Sequence, residues 1–124
     1  MAAQRVPQIF VVSDGRGETC ERLVKAALVQ YADQRHKIVR KAEVRSAAQV
    51  REAVRAAAKL KAVVFYTLVA EETREEMRRA CRELLVPKLD LLGPAISALH
   101  DLFQQDPCLG KLAGLHQCAG LFYL

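Results

Sequence analysis

Two short apolar runs, Ile9-Phe10-Val11-Val12 and Ala62-Val63-Val64-Phe65-Tyr66-Thr67-Leu68-Val69, each hand over to a stretch of helical periodicity. That alternation constrains the fold more than any other feature. A short apolar run without polar alternation suits a strand buried on both faces. The first strand is read from Gln8 to Ser13, and the helix after it places Cys20, Leu23, Val24, Ala27, Leu28 and Tyr31 on an inward face. Ile38 to Val44 is a weaker, more polar strand nearer an edge. Ser46 then caps a helix whose apolar face is Ala47, Val50, Val54 and Ala57.

After the second apolar run a helix opens on Glu71 and Glu72 and closes among Arg78, Arg79 and Arg82, matching the helix dipole at both ends. Met77, Ala80, Cys81, Leu84 and Leu85 form its expected buried stripe. Lys88 to Leu92 reads as a fourth strand entered from Pro87, and Pro94 starts a last helix with Ala95, Leu99, Leu102 and Phe103 inward. Four such units without a long linker predict an α/β domain over residues 1–105. Its sheet should be open, mostly parallel and about four-stranded, with helices packed on it through right-handed crossovers, in the Rossmann-like or flavodoxin-like manner. Asp106-Pro107 marks a break, and residues 106–124 read as an apolar tail ending Leu121-Phe122-Tyr123-Leu124 that wants a partner surface.

At 124 residues and 52% apolar content the chain has enough material for one real core, and 27% charged residues suit a soluble surface. No run approaches the roughly 18 apolar residues of a membrane span, and Met1 to Pro7 lacks the apolar stretch of a secretory signal. A cytoplasmic location and no membrane partner are expected. Four cysteines, Cys20, Cys81, Cys108 and Cys118, show no C-x-x-C spacing. Cys20 and Cys81 fall on apolar helical positions, as buried free thiols do. Cys108, His116 and Cys118 lack the spacing of a zinc motif, so no metal site is expected.

Charge is unevenly placed: residues 1–61 carry 13 Lys and Arg against 6 Asp and Glu, and residues 62–124 carry 6 against 8. A basic half attracts nucleotides or an acidic partner. No aromatic residues interleave with the basic ones, so stacking on bases is not signalled and nucleic acid is not an expected partner.

In open parallel sheets ligands gather beyond the carboxyl ends of the strands. The polar residues there are Ser13 and Asp14, Thr67, and Asp90 within the fourth strand. The loop Ser13-Asp14-Gly15-Arg16-Gly17-Glu18-Thr19 stands out. Glycines let the backbone turn sharply, free N–H groups at a helix start cradle phosphate, and Arg16 adds a charge-assisted contact. The competing reading has equal weight: Gly15 and Gly17 only make a tight turn, with Asp14 or Thr19 capping the helix. Sharper motifs fail. Gly15-Arg16-Gly17 lacks the third glycine of a dinucleotide fingerprint, Gly110-Lys111 is followed by Leu112 and is no Walker A loop, and no nucleophile elbow is present. Catalytic residues are not identifiable from the residues alone. Ser13, Asp14, Gly15, Arg16, Gly17 and Thr19 stand as nucleotide or phosphate ligands, with Thr67 and Asp90 as secondary candidates.

The segment Ile9 to Thr19 followed by Glu21-Arg22-Leu23-Val24-Lys25-Ala26-Ala27-Leu28 resembles the opening of the pyruvate, phosphate dikinase and phosphoenolpyruvate synthetase regulatory proteins. Val64 to Val69 with Thr73-Arg74-Glu75, and Asp90-Leu91-Leu92-Gly93-Pro94, agree at fitting distances. The resemblance covers residues 8 to about 105. It implies a bifunctional regulator that phosphorylates a threonine of its target enzyme with ADP. The same regulator removes that phosphate with inorganic phosphate, releasing pyrophosphate. ADP and inorganic phosphate are the implied substrates, with no covalent cofactor, and the dikinase or synthetase is the implied partner. The family's G-x-S-R-x-x-K-T-P phosphate loop lies in a second, carboxy-terminal domain and does not occur in residues 1–124. The expectation is therefore an amino-terminal domain, inactive by itself. Arg16 stands where the family usually has a small residue, commonly Thr. Gly114-Leu115-His116-Gln117 loosely echoes the passage toward the second domain, and the match dissolves at Cys118-Ala119-Gly120. The alternative from another class is a non-catalytic docking or nucleotide-binding module. In that case the positive half and apolar tail mediate association with the target or with a second copy, as a homo-oligomer.

Overall fold

The computed structural model describes residues 6–104. The expected tail 106–124, with Cys108, His116 and Cys118, lies outside the described residues. Four strands, β1 (Gln8–Ser13), β2 (Lys37–Lys41), β3 (Val63–Thr67) and β4 (Lys88–Asp90), form one sheet in the order β2-β1-β3-β4. Every pairing is parallel: Val11 stands beside Arg40 on one side and Phe65 on the other, and Phe65 stands beside Leu89. This is the doubly wound order of flavodoxin-like sheets. The open, parallel α/β architecture expected from the alternation is what forms.

The helices are α1 (Glu18–Leu28), α2 (Ala47–Leu60) and α3 (Glu71–Leu84), with a 3-10 turn at Val29–Tyr31. Strand periodicity sorts the side chains of β1 to opposite faces. Phe10 and Val12 pack with Val64 and Tyr66 of β3 against Val50, Val54 and Ala57 of α2 and Met77, Ala80 and Cys81 of α3. Ile9 and Val11 face the other way, toward Cys20 and Val24 of α1. Right-handed crossovers require this division, because β1 reaches β2 in one direction and β2 reaches β3 in the other. The packing divides between Leu92 and Gly93, and the helix α4 (Gly93–Gln104) belongs to the second part. In α4, Leu99, Leu102 and Phe103, expected inward, are 50%, 56% and 40% exposed.

Three inward faces differ from expectation in physically legible ways. On α1 only Cys20 and Val24 are buried, with Leu28 packed beside them, while Leu23, Ala27 and Tyr31 are exposed. Cys20, Val24 and Leu28 form one i, i+4 stripe against the sheet, and the adjacent i+3 stripe stays outside. On α2 the buried set is Val50, Ala53, Val54 and Ala57, and Ala47 at the first turn is only half-buried. On α3 the stripe ends at Cys81: Leu84 is exposed, and Leu85 is the left-handed C-cap (φ 58) that turns its side chain into solvent. The second strand stops at Lys41, and Val44 is buried from the loop that follows. The fourth stops at Asp90 rather than Leu92.

Ser46 caps α2 as expected: its hydroxyl accepts from the Gln49 N–H while the Gln49 side chain returns to the Ser46 N–H, a complete capping box.

Leu85 gives the first prediction. It is 88% exposed and held at positive φ, so its side chain contributes strain and no packing. Leu85→Gly should raise stability by roughly 0.5–1 kcal/mol, after the extra flexibility of glycine in the unfolded chain is subtracted. Urea unfolding of both proteins measures it, and an unchanged midpoint would refute the strain.

Candidate functional site

The cleft sits where the sheet order reverses. Loops leaving β1 and β3 run to opposite faces, so their ends part and leave a crevice beyond the strand tips. A cavity of about 410 Å³ occupies it, lined by Ser13 to Thr19, by Thr67 at the end of β3, and by Leu92. The structure therefore gathers Ser13, Asp14, Gly15, Arg16, Gly17, Thr19 and Thr67 around one cavity. Asp90 does not line it.

The turn between β1 and α1 is gripped on one side by β2 and the loop after it. The Ser13 carbonyl accepts from the Val44 N–H at 2.9 Å and the Gly15 carbonyl from the Glu43 N–H at 2.8 Å. The Asp14 carbonyl accepts from Arg45 Nε at 2.9 Å and the Arg16 carbonyl from Arg40 Nη1 at 3.2 Å. Four consecutive carbonyls are thus turned toward β2. No peptide here is cis, and in a trans peptide the following N–H points opposite to the carbonyl. The N–H groups of residues 14 to 17 therefore face the β3 side, where the cavity opens.

Side chains complete the arrangement. Ser13 Oγ accepts from the Gly15 N–H at 3.0 Å. Asp14 Oδ2 accepts from the Val69 N–H at 2.9 Å, tying the loop after β1 to the loop after β3. Neither Asp14 nor Thr19 caps α1, which corrects half of the tight-turn reading. The N-cap is Gly17, at φ 89 and ψ 5, and no side chain accepts from the first turn. Among the described residues no acceptor stands on the N–H groups of Arg16, Gly17, Glu18 or Thr19. Four donors without acceptors, next to the positive end of a helix dipole, form a concavity suited to an anion. Arg16 is exposed beside them, and its guanidinium has no ion pair among the described residues.

Other groups near the cavity are fixed for different reasons. Cys20 is buried beneath the first turn, with Sγ 3.5 Å from the Phe65 carbonyl. Burial, only partly offset by a hydrogen bond from Thr67, pushes its thiol up to about 11, so at neutral pH it is no nucleophile. Asp90 pairs with Arg74 at 3.1 Å and accepts from the Leu92 N–H at 3.0 Å, which orders the turn that brings Leu92 to the cavity wall. Among the described residues no cluster of His, Cys, Asp or Glu is placed to hold a metal ion, and no helix is long and apolar enough to cross a membrane.

Sequence reasoning missed Arg40, Glu43 and Arg45, the residues that orient the turn. Glu43 adopts positive φ (59), unexpected for glutamate, and nothing in the sequence marks it. Arg40 carried a faint signal: it interrupts the apolar face of a strand two positions after Ile38.

A parallel β2-β1-β3-β4 sheet with its cavity at the switch point defines a doubly wound α/β domain. The chain belongs to the Kinase/pyrophosphorylase family, whose model matches residues 9–119. A pyruvate, phosphate dikinase regulatory protein of Carboxydothermus hydrogenoformans is 34% identical over 104 residues, covering 84% of this chain and 38% of that protein. Proteins of the same name from Shouchella clausii and Chloroflexus aurantiacus are 33% and 31% identical, over 80% and 93% of this chain. The chain spans 36–40% of the length of these curated relatives.

Two predictions follow from the turn. A Cβ on Gly17 would meet Arg40 Cγ at 3.1 Å and Cδ at 3.2 Å at a φ of 89, whereas a Cβ on Gly15 meets only Ser13 Oγ at 3.9 Å. Gly17→Ala should therefore cost about 1–3 kcal/mol and Gly15→Ala less than about 0.5 kcal/mol, read by denaturant unfolding. Equal costs would contradict the geometry. The second concerns Glu21, whose carboxyl is held below its usual 4.5 first by the Arg40 hydrogen bond and then by Lys25. A carboxylate with a depressed folded-state value stabilises fully above its unfolded value and loses that contribution as pH falls through the folded one. The stability gap between the wild type and Glu21→Gln should be full above pH 4.5 and close progressively below it. A gap that widens on acidification would reverse the assignment.

Proposed function

We propose that this chain is the amino-terminal α/β domain of a bifunctional regulator acting on pyruvate, phosphate dikinase or phosphoenolpyruvate synthetase. In that role it serves an ADP-dependent protein threonine kinase and a phosphate-dependent, pyrophosphate-releasing phosphorylase. Family membership and the names of the relatives support the regulatory role. The observation that carries a role for this domain is the row of carbonyls captured from β2 and the loop after it, which turns the N–H groups of Arg16 and Gly17 toward the cavity, beside the N–H groups of Glu18 and Thr19 at the start of α1. Phosphoryl transfer asks a protein chiefly for positioning and for donors aimed at spread negative charge. The turn supplies such donors from backbone, and Arg16 adds a cation at the rim. Ser13 and Asp14 act by holding the turn, and Thr67 lines the opposite wall.

ADP and inorganic phosphate are the substrates this reading assigns to the whole regulator, with the turn as one contact for a phosphate group. Residues 1–124 carry no G-x-S-R-x-x-K-T-P segment, so the chain alone is expected to bind without transferring phosphate.

The test is a titration of ADP, phosphate and pyrophosphate into the purified chain, followed by amide NMR. Saturable shifts at Gly15 and Gly17 that weaken in Arg16→Ala are expected. No shift at millimolar ligand would remove phosphate handling from this domain and leave it a docking module. ADP-dependent phosphorylation of a dikinase by residues 1–124 would overturn the division of labour.

A further inference from the structure

We propose that Arg40 is a positioning residue: it locks the Arg16–Gly17 peptide in the orientation that presents the Gly17 N–H to the anion, and without it that peptide flips. The inference rests on the anion-binding reading of the turn and assigns the part that controls it.

Gly17 lies at φ 89 and ψ 5, in the left-handed region that glycine enters without strain. Type I and type II turns differ mainly by rotation of their central peptide through roughly 180°, and only glycine occupies both states cheaply at the third position. By the same rotation the peptide that precedes a glycine at positive φ can turn over, and here that peptide joins Arg16 to Gly17. Flipping it exchanges the Arg16 carbonyl for the Gly17 N–H on the cavity side, so a donor becomes an acceptor where an anion is to sit. One glycine thus makes the turn possible and leaves it bistable.

Arg40 is placed to decide between the two states. Its Nη1 donates to the Arg16 carbonyl at 3.2 Å, a bond available only in the observed orientation. Its Nε and Nη2 both reach Glu21 Oε1 at 2.8 Å, while Lys25 holds the other carboxylate oxygen at 3.1 Å. The Arg40 stem packs against the face of Gly17. The guanidinium thus spans from the strand β2 to the first turn of α1 with the Arg16–Gly17 peptide between them. Glu21 is 17% exposed and Arg40 42% exposed, so the pair is only partly screened and its geometry is held from three sides. A lysine at position 40 keeps the charge but cannot reach Glu21 and the Arg16 carbonyl together, because it lacks the planar fork.

The experiment uses the full chain with inorganic phosphate as the probe. Phosphate affinity is read from Gly15 and Gly17 amide shifts, and microsecond–millisecond exchange at Gly17 from relaxation dispersion. Arg40→Ala and Arg40→Lys should each bind phosphate about tenfold more weakly, as loss of a charge-assisted hydrogen bond implies. Both should show exchange at Gly17 that the wild type lacks, and added guanidinium should restore affinity in Arg40→Ala. Glu21→Gln, which retains Arg40 but loosens its anchor, gives an intermediate result and covers the case in which Arg40→Ala fails to fold. If the wild type binds phosphate and Arg40→Lys binds equally well with a quiet Gly17, Arg40 is a surface ion pair and the proposal is overturned. If the wild type shows no phosphate shifts, the anion reading fails and takes the affinity claim with it. The peptide lock is then decided by dispersion alone: exchange at Gly17 in Arg40→Ala upholds it, and its absence sinks it.

Discussion

Strand β1 is the constraint from which the rest follows. It is hydrogen-bonded to β2 on one side and β3 on the other, and from Ile9 to Ser13 every residue is buried. With β1 enclosed in this way, the connection from β1 to β2 and the one from β2 back past β1 to β3 must run in opposite directions. Right-handed crossovers then place α1 on one face and α2 with α3 on the other. The crevice beyond β1 and β3 is the geometric remainder of that arrangement. Its position owes nothing to the residues that line it.

The turn inherits its shape from its neighbours. Donors from Arg40, Glu43, Val44 and Arg45 all reach it from the β2 side, and Asp14 reaches across to Val69 on the β3 side. The loops after three strands are thereby joined into one unit, although the residues that join them are scattered along the chain. Preorganised backbone donors of this kind need little rearrangement when charge arrives, which is the property that makes such sites effective.

The elements and their order were legible because they rest on local periodicity: Ile9 to Val12 and Val63 to Tyr66 could hardly be anything but buried strands, and Ser46 with Gln49 announces a helix start. Burial was less legible, because it depends on what else covers a face. Leu23 and Ala27 read as core on helical spacing, yet they are exposed, because the buried stripe of α1 runs through Cys20 and Val24 instead. Leu84 and Leu85 read as a continuing stripe, but the helix ends in a left-handed residue that the sequence does not flag. Glu76 was the opposite case. It is an acid on an otherwise polar-looking stretch that lies 8% exposed between α2 and α3, accepted there because Arg51 and Arg79 pair with it. The cleft was legible as a place, since Ser13 to Thr19 and Thr67 stand at strand ends. Its mechanics were not, because Asp14 to Val69 spans 55 positions and Arg40 to Arg16 spans 24.

The captured carbonyls also separate what can drift from what cannot. Ser13, Asp14 and Gly17 are committed to holding the backbone, so exchanging them disturbs the fold before it touches a ligand. Arg16 and Thr19 project from the same few residues, are exposed, and make no side-chain hydrogen bond among the described residues. At those two positions a lineage can retune charge and size while the scaffold stays intact. In this chain the first of them carries a large cation, Arg16. Innovation in this cleft is confined to side chains that hold nothing up.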